Sequence, residues 1–149
     1  MDPVLSDPAG VGDRHRQLRS TLRWILAAGY ALVGYIHLAS PAGFLPIMPG
    51  WVPYPRLVIL GTGGCELAGA VGLLLPRTRW IAGVMLAAYA VCVFPANIKH
   101  AVDHVAVGGV VLGPAYHVPR LLFQPVLVWW ALFAGRVTDW PFRTATRQR

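Results

Sequence analysis

The sequence predicts an all-α polytopic membrane protein: four transmembrane helices in an up-down bundle, with a proline-aromatic interfacial loop between helices one and two. Three observations predict it. The 149 residues are 56% hydrophobic and only 13% charged, with a mean hydropathy of +0.53; soluble domains carry roughly 25% charged residues. Four apolar runs, about 22–38, 56–75, 80–98 and 119–135, are each about long enough to cross a ~30 Å hydrocarbon core. Arginine and lysine collect at one set of helix ends, ten on the side of both termini against three on the other. That bias places the protein in the cell membrane with N- and C-termini cytoplasmic.

Residues 1–20 are polar, carry Pro3, Pro8, Gly10 and Gly12, and read as a disordered cytoplasmic tail ending in Arg14, Arg16, Arg19 and Arg23. The run 22–38 is long for a signal peptide and lacks a small-x-small cleavage site, so it reads as a span. Ser40–Pro55 has five prolines in sixteen residues, which rules out a regular helix. Its Phe44, Ile47, Met48, Trp51 and Tyr54 suit a folded loop at the membrane interface. Helix two follows, then the Pro76–Arg79 turn and helix three, whose last turn Pro95 loosens. Helix four carries Pro125, and residues 137–149 form a basic tail. The membrane domain is 21–136.

The net charge of +7 sits just outside the apolar runs, which points to topology and anionic lipid headgroups rather than nucleic acid. Cys65 and Cys92 form no C-x-x-C and read as buried, inert thiols.

One carboxylate, Glu66, stands near the middle of helix two. At mid-depth in lipid it needs a partner from another helix. The ionisable and amide side chains of the spans gather on the side away from the termini: His37 ends helix one, Asn97, Lys99 and His100 end helix three, and Arg120 and Gln124 open helix four. With Trp51 from the loop above, these eight residues form a predicted binding pocket in the outer half of the bundle. Glu66 and His37 are the candidate acid–base groups. Tyr30, Gly34 and His37 share one helical face, as do Thr62, Glu66 and Gly69; Gly61, Cys65, Ala68 and Gly72 form a small-residue stripe. His100 and His104, at i and i+4, could chelate a metal if the helix continued through them, but the sequence predicts no metal site.

The strings Gly34-Tyr35-Ile36-His37, Ile47-Met48-Pro49-x-Trp51-Val52-Pro53, Gly63-x-x-Glu66-x-x-Gly69-x-x-Gly72, Phe94-Pro95-Ala96-Asn97 and Arg120-x-x-x-Gln124-Pro125 resemble the DoxX-like family of small four-span membrane proteins. The resemblance spans 22–135 and leaves out 101–118. It implies an up-down four-helix membrane bundle. Its members include a subunit of a thiosulfate:quinone oxidoreductase, a protein of a membrane oxidative-stress complex and a receptor-assembly chaperone. Two functions are therefore expected. One is an accessory or redox-linked subunit that handles a quinone and works with other membrane or redox proteins. The other is a non-enzymatic assembly or chaperone-like protein. The sequence has no haem pair, iron–sulfur motif or nucleotide fingerprint.

Overall fold

The computed structural model describes residues 8–107 and 110–142. The described residues are mostly helical, with one short hairpin and connecting turns. Helix α1 covers Pro8–Ala39, a 3-10 helix Pro41–Ile47, α2 Pro55–Leu74, α3 Arg79–Cys92 and α4 Phe94–Val102. Strands β1 (Ala106–Val107) and β2 (Val110–Val111) pair antiparallel, and α5 covers Pro114–Ala134.

Helix α1 starts fourteen residues ahead of the predicted span, which corrects the disordered tail from Pro8 onward; residues 1–7 lie outside the described residues. Local composition alone does not hold this turn-rich segment. It is pinned by tertiary contacts, with Arg19 Nη2 2.6 Å from Asp139 Oδ1 and the His15 ring 4.9 Å from that of Phe142. Of the predicted C-terminal tail, 137–142 forms turns against this segment, and 143–149 lies outside the described residues.

The proline-rich loop avoids an α-helix as expected and forms a 3-10 helix instead, with Pro41 in its first turn and Pro46 inside it. Tyr54, at φ 49°, turns the chain into α2, and its carbonyl accepts from the amides of Leu57 (2.9 Å) and Val58 (3.1 Å). Helix three breaks at Val93, one residue ahead of Phe94-Pro95, because Pro95 has no amide to bond back. The hairpin falls in the stretch that no motif covered.

Helix α1 packs on α2, α2 on α3, α3 on α5 and α5 back on α1. Contacts between neighbours run in opposite chain order: Gly69 meets Leu86 and Gly72 meets Ala82 across α2 and α3. Three helical stretches, Gly12–Ala39, Pro55–Leu74 and Arg79–Val102, are long and apolar enough to cross a membrane. Helix α5 is not among them, since His117, Arg120, Gln124 and two prolines lower its hydropathy.

The outer faces are apolar, and the interior holds polar groups beside an apolar core of residues such as Leu73, Leu86 and Phe133. Trp24, Leu32, Leu57, Ile81, Met85 and Leu122 are exposed on the outer faces, while Arg23, Glu66, Asn97, His100, His117 and Gln124 are buried. Water would oppose both arrangements; a lipid solvent favours them.

Close backbone approach sets the helix spacing. A Cβ on Gly34 would lie 2.9 Å from the Gly63 carbonyl oxygen, and one on Gly83 would lie 2.7 Å from Gly135 Cα. The predicted stripe of Gly61, Cys65, Ala68 and Gly72 is corrected: Gly61 faces open space, and Cys65 and Ala68 are exposed. The packing face is Gly63, Glu66, Gly69 and Gly72, one residue out of register on the helical wheel. Both cysteines are exposed, not buried.

Gly83→Ala places a methyl against backbone that cannot yield, and overpacking of this kind costs about 1–3 kcal/mol. We expect a clear fall in Tm for Gly83→Ala in detergent and none for Gly61→Ala, read by thermal unfolding of the two purified variants side by side.

Candidate functional site

The carboxylate of Glu66, 3% exposed, is met by two helices. His37 Nδ1 from α1 lies 2.6 Å from Oε2, and the Tyr89 hydroxyl of α3 donates to Oε1 at 2.8 Å. An ionised carboxylate accepts both bonds, and the Nδ1 proton completes a charge-assisted pair. Sequence spacing put His37 and Glu66 on usable faces. The close crossing at Gly34 and Gly63 brings those faces together, since a Cβ on Gly63 would lie 2.9 Å from the His37 Cβ.

A second network joins α4 and α5. Asn97 Nδ2 donates to Gln124 Oε1 at 3.1 Å, and Arg120 Nη2 donates to Asn97 Oδ1 at 2.6 Å. Gln124 Nε2 donates to the carbonyl of Ala90, which the break before Pro95 leaves free of an α-helical partner. Arg120 Nη1 lies 2.8 Å from His100 Nδ1.

The two networks face one cavity of about 650 Å³. His37, Trp51, Glu66, Asn97, Arg120 and Gln124 line it, so six of the eight predicted pocket residues converge. The other two do not. His100 is buried behind Arg120, and Lys99 turns outward to pair with Asp103. The i, i+4 helical geometry that a His100–His104 chelate would need does not form, because α4 stops at Val102 and His104 sits in a turn at φ 48°.

Most of the cavity wall is apolar. Phe44 of the 3-10 helix packs on His37, with ring centroids 4.2 Å apart, and closes one end. Trp51 stands at the rim, 75% exposed. Ile25 and Val33 of α1 and Phe123 of α5 line the cavity and are also exposed on the outer surface. The cavity therefore reaches the surface along the seam between α1 and α5. The hydrogen bonds that close this seam lie toward the termini, from Arg23 Nε to the Ala134 carbonyl (2.9 Å) and from Trp130 Nε1 to the Leu22 carbonyl (3.0 Å).

Sequence reasoning missed Tyr89 and His117. A tyrosine in an apolar run reads as core or interface, and only the position of Glu66 opposite it gives its hydroxyl a role. His117 lies three residues before Arg120, one turn along the same helical face, which is the signal that could have found it. It packs on His100 with centroids 4.7 Å apart, and its Nε2 donates to the Leu112 carbonyl at 2.9 Å.

Apolar outer faces, a polar network inside and three helices long and apolar enough to cross a membrane point to a helical membrane protein with an internal cavity. The chain belongs to the family described as Domain of unknown function (DUF8561), which matches residues 26–135. No curated protein and no solved structure matches the chain.

Tyr89→Phe removes one donor from a buried carboxylate and leaves Oε1 unsatisfied, a loss worth about 1–3 kcal/mol. Thermal unfolding is expected to show it as a lowered Tm, with no change for Tyr35→Phe, whose ring is 65% exposed.

Proposed function

We propose that the protein is a DoxX-like four-span protein of the cell membrane, an up-down bundle with both termini cytoplasmic, that acts as a redox-linked accessory subunit and binds a quinone. The single observation that carries this reading is the cavity. It is apolar along its length, holds donors and a carboxylate at one end, and reaches the lipid-facing surface between α1 and α5. Small-molecule sites share this plan, with mostly apolar walls and a few placed polar groups. A solute from water has no use for a side entrance lined by Ile25, Val33 and Phe123; an amphiphile dissolved in the bilayer does. Helix α5 supplies the fourth span, with Arg120 and Gln124 turned to the cavity.

The residues present fit a quinone head. Arg120 donates to a carbonyl oxygen as a fixed cation. His37 has Nδ1 held by Glu66, which leaves Nε2 for the cavity. As an imidazolium, His37 can give up the Nε2 proton and recover one from the aqueous rim, with Glu66 stabilising the charged ring. Tyr89 keeps Glu66 oriented. Trp51 and Phe44 cover the head and limit water. Reduction of a quinone to its quinol consumes two electrons and two protons, the electrons coming from a redox partner protein.

One observation favours a second reading. Glu66 is already satisfied by His37 and Tyr89, as a purely structural carboxylate would be, and a non-enzymatic assembly or chaperone-like protein requires no more than that.

Two measurements separate the readings. Wild-type protein extracted in mild detergent is expected to carry a lipid-soluble quinone detectable by mass spectrometry, and to bind added short-chain ubiquinone with quenching of tryptophan fluorescence. Arg120→Gln and His37→Gln are expected to weaken that binding about tenfold or more, the loss of one charge-assisted bond, with Lys99→Gln unchanged. A folded wild type that neither carries nor binds a quinone supports the assembly reading. For topology, green fluorescent protein fused after Arg149 is expected to fluoresce and alkaline phosphatase fused there to stay inactive; the opposite pattern inverts the orientation.

A further inference from the structure

At the opposite end of the molecule, between α1, the C-terminus of α5 and the segment that follows it, lies a second cavity of about 550 Å³. Four arginines line it, Arg16, Arg19, Arg23 and Arg136, against one carboxylate, Asp139. Their balance is uneven. Asp139 is taken by Arg19 at 2.6 Å, and Arg16 is paired with Asp13 at 3.1 Å. Arg23 and Arg136 form no salt bridge among the described residues.

Arg23 is the unusual member. It is only 7% exposed, yet its near charged neighbours are Arg19, Arg79 and Arg136, all of its own sign. Its Nε donates to the Ala134 carbonyl, capping α5, and Arg79 is spent on the carbonyls of Leu73 and Leu74 at 2.9 and 3.1 Å. Helix capping accounts for Arg79 and for one nitrogen of Arg23. Ion pairs account for Arg16 and Arg19, and none of these contacts accounts for Arg136. A buried cation surrounded by cations is unfavourable unless an anion joins it. Phe133, 1% exposed, forms an apolar floor, with the Arg19 guanidinium carbon 4.3 Å above its ring centroid.

We propose that this cavity binds a phosphate group. Three guanidiniums from α1 and one from the segment after α5 suit phosphate, whose oxygens accept from more than one fork, better than they suit a single planar carboxylate. The group could belong to an anionic phospholipid or to a soluble phosphate. The membrane reading above places Arg23, at the start of the apolar run, at headgroup depth, and to that extent the lipid source rests on it. The arginine cavity itself does not. It is separate from the His37–Glu66 cavity and would hold its ligand whatever occupies the other.

The test uses the full chain purified in a neutral detergent. Native mass spectrometry and thermal unfolding are read with phosphatidylglycerol, with phosphatidylcholine and with inorganic phosphate. A preference for phosphatidylglycerol of about tenfold over phosphatidylcholine, lost in Arg136→Gln and kept in Arg56→Gln at the far end, supports a headgroup site. Stabilisation by inorganic phosphate, lost in Arg136→Gln, supports the same site with a soluble ligand. Arg136 is the first choice because its side chain makes no hydrogen bond among the described residues, so its loss need not disturb folding; Arg19→Gln with Asp139→Asn, which removes the pair together, is the second. Equal binding of both lipids with no response to phosphate overturns the proposal, as does a preference that survives both variants. Quinone binding by the same samples reports separately on the other cavity, so failure of one site is not mistaken for failure of the other.

Discussion

A carboxylate buried in an apolar helix is the constraint on which the rest of this structure depends. Glu66 cannot face lipid at tolerable cost, and the one hydroxyl on its face of α2, that of Thr62, is spent on the Ile59 carbonyl. His37 must come from α1 and Tyr89 from α3, which fixes how those helices meet α2 and in what register. The glycines follow from this. Gly63 precedes Glu66 by nearly one turn and lets α1 approach until its backbone touches; Gly69 follows by nearly one turn and receives Leu86 of α3. Any larger residue at either position would hold a neighbouring helix away from the carboxylate. Polar demand and small-residue packing are one arrangement, with three positions on a single face of α2.

The cavity is what this arrangement leaves over. Helices α1 and α5 are tied near the termini by Arg23 and Trp130. At the other end the chain cannot fill the gap with helix, because prolines break it at Pro41–Pro55 and again before Pro95. The broken helix three frees the Ala90 carbonyl, and Gln124 takes it up, so the α4–α5 network begins from a backbone defect made by a proline. Irregular backbone at this depth is tolerated where it lines protein or a cavity, and here it lines both.

The sequence made the helices and much of the site legible, and the reasons are local. Apolar run length reports that a helix is there and gives the ends of α2 closely, but α1 and α5 start earlier than their apolar runs and helix three is split at Val93. Helical periodicity put His37 in line with Gly34 and Glu66 in line with Gly69, and both faces are the ones used. Which partner Glu66 takes was not legible. Arg120 was an equally available cation by sequence, and only the crossing at Gly34 and Gly63 chooses His37. The small-residue stripe was read one residue out of register because glycines at 61, 63, 64, 69 and 72 support more than one face, and nothing in α2 alone says which face meets α1. The early start of α1 was hidden for a related reason. Pro8, Gly10 and Gly12 argue against helix locally, while the residues that hold the segment, Asp139 and Phe142, come more than a hundred positions later.

The two ends of the molecule solve the same problem in opposite ways. Around the first cavity most polar groups are paired within the protein, carboxylate with imidazole and phenol, guanidinium with amide and imidazole, while His100 Nε2 and His117 Nδ1 have no partner among the described residues. Around the second, the guanidiniums outnumber the carboxylates and crowd one another. Such an excess is stable only next to a medium that supplies anions, which an aqueous or headgroup boundary does and a hydrocarbon core does not. The two cavities therefore differ in charge balance, with one carboxylate held by an imidazole and a phenol in the first and four guanidiniums against one carboxylate in the second.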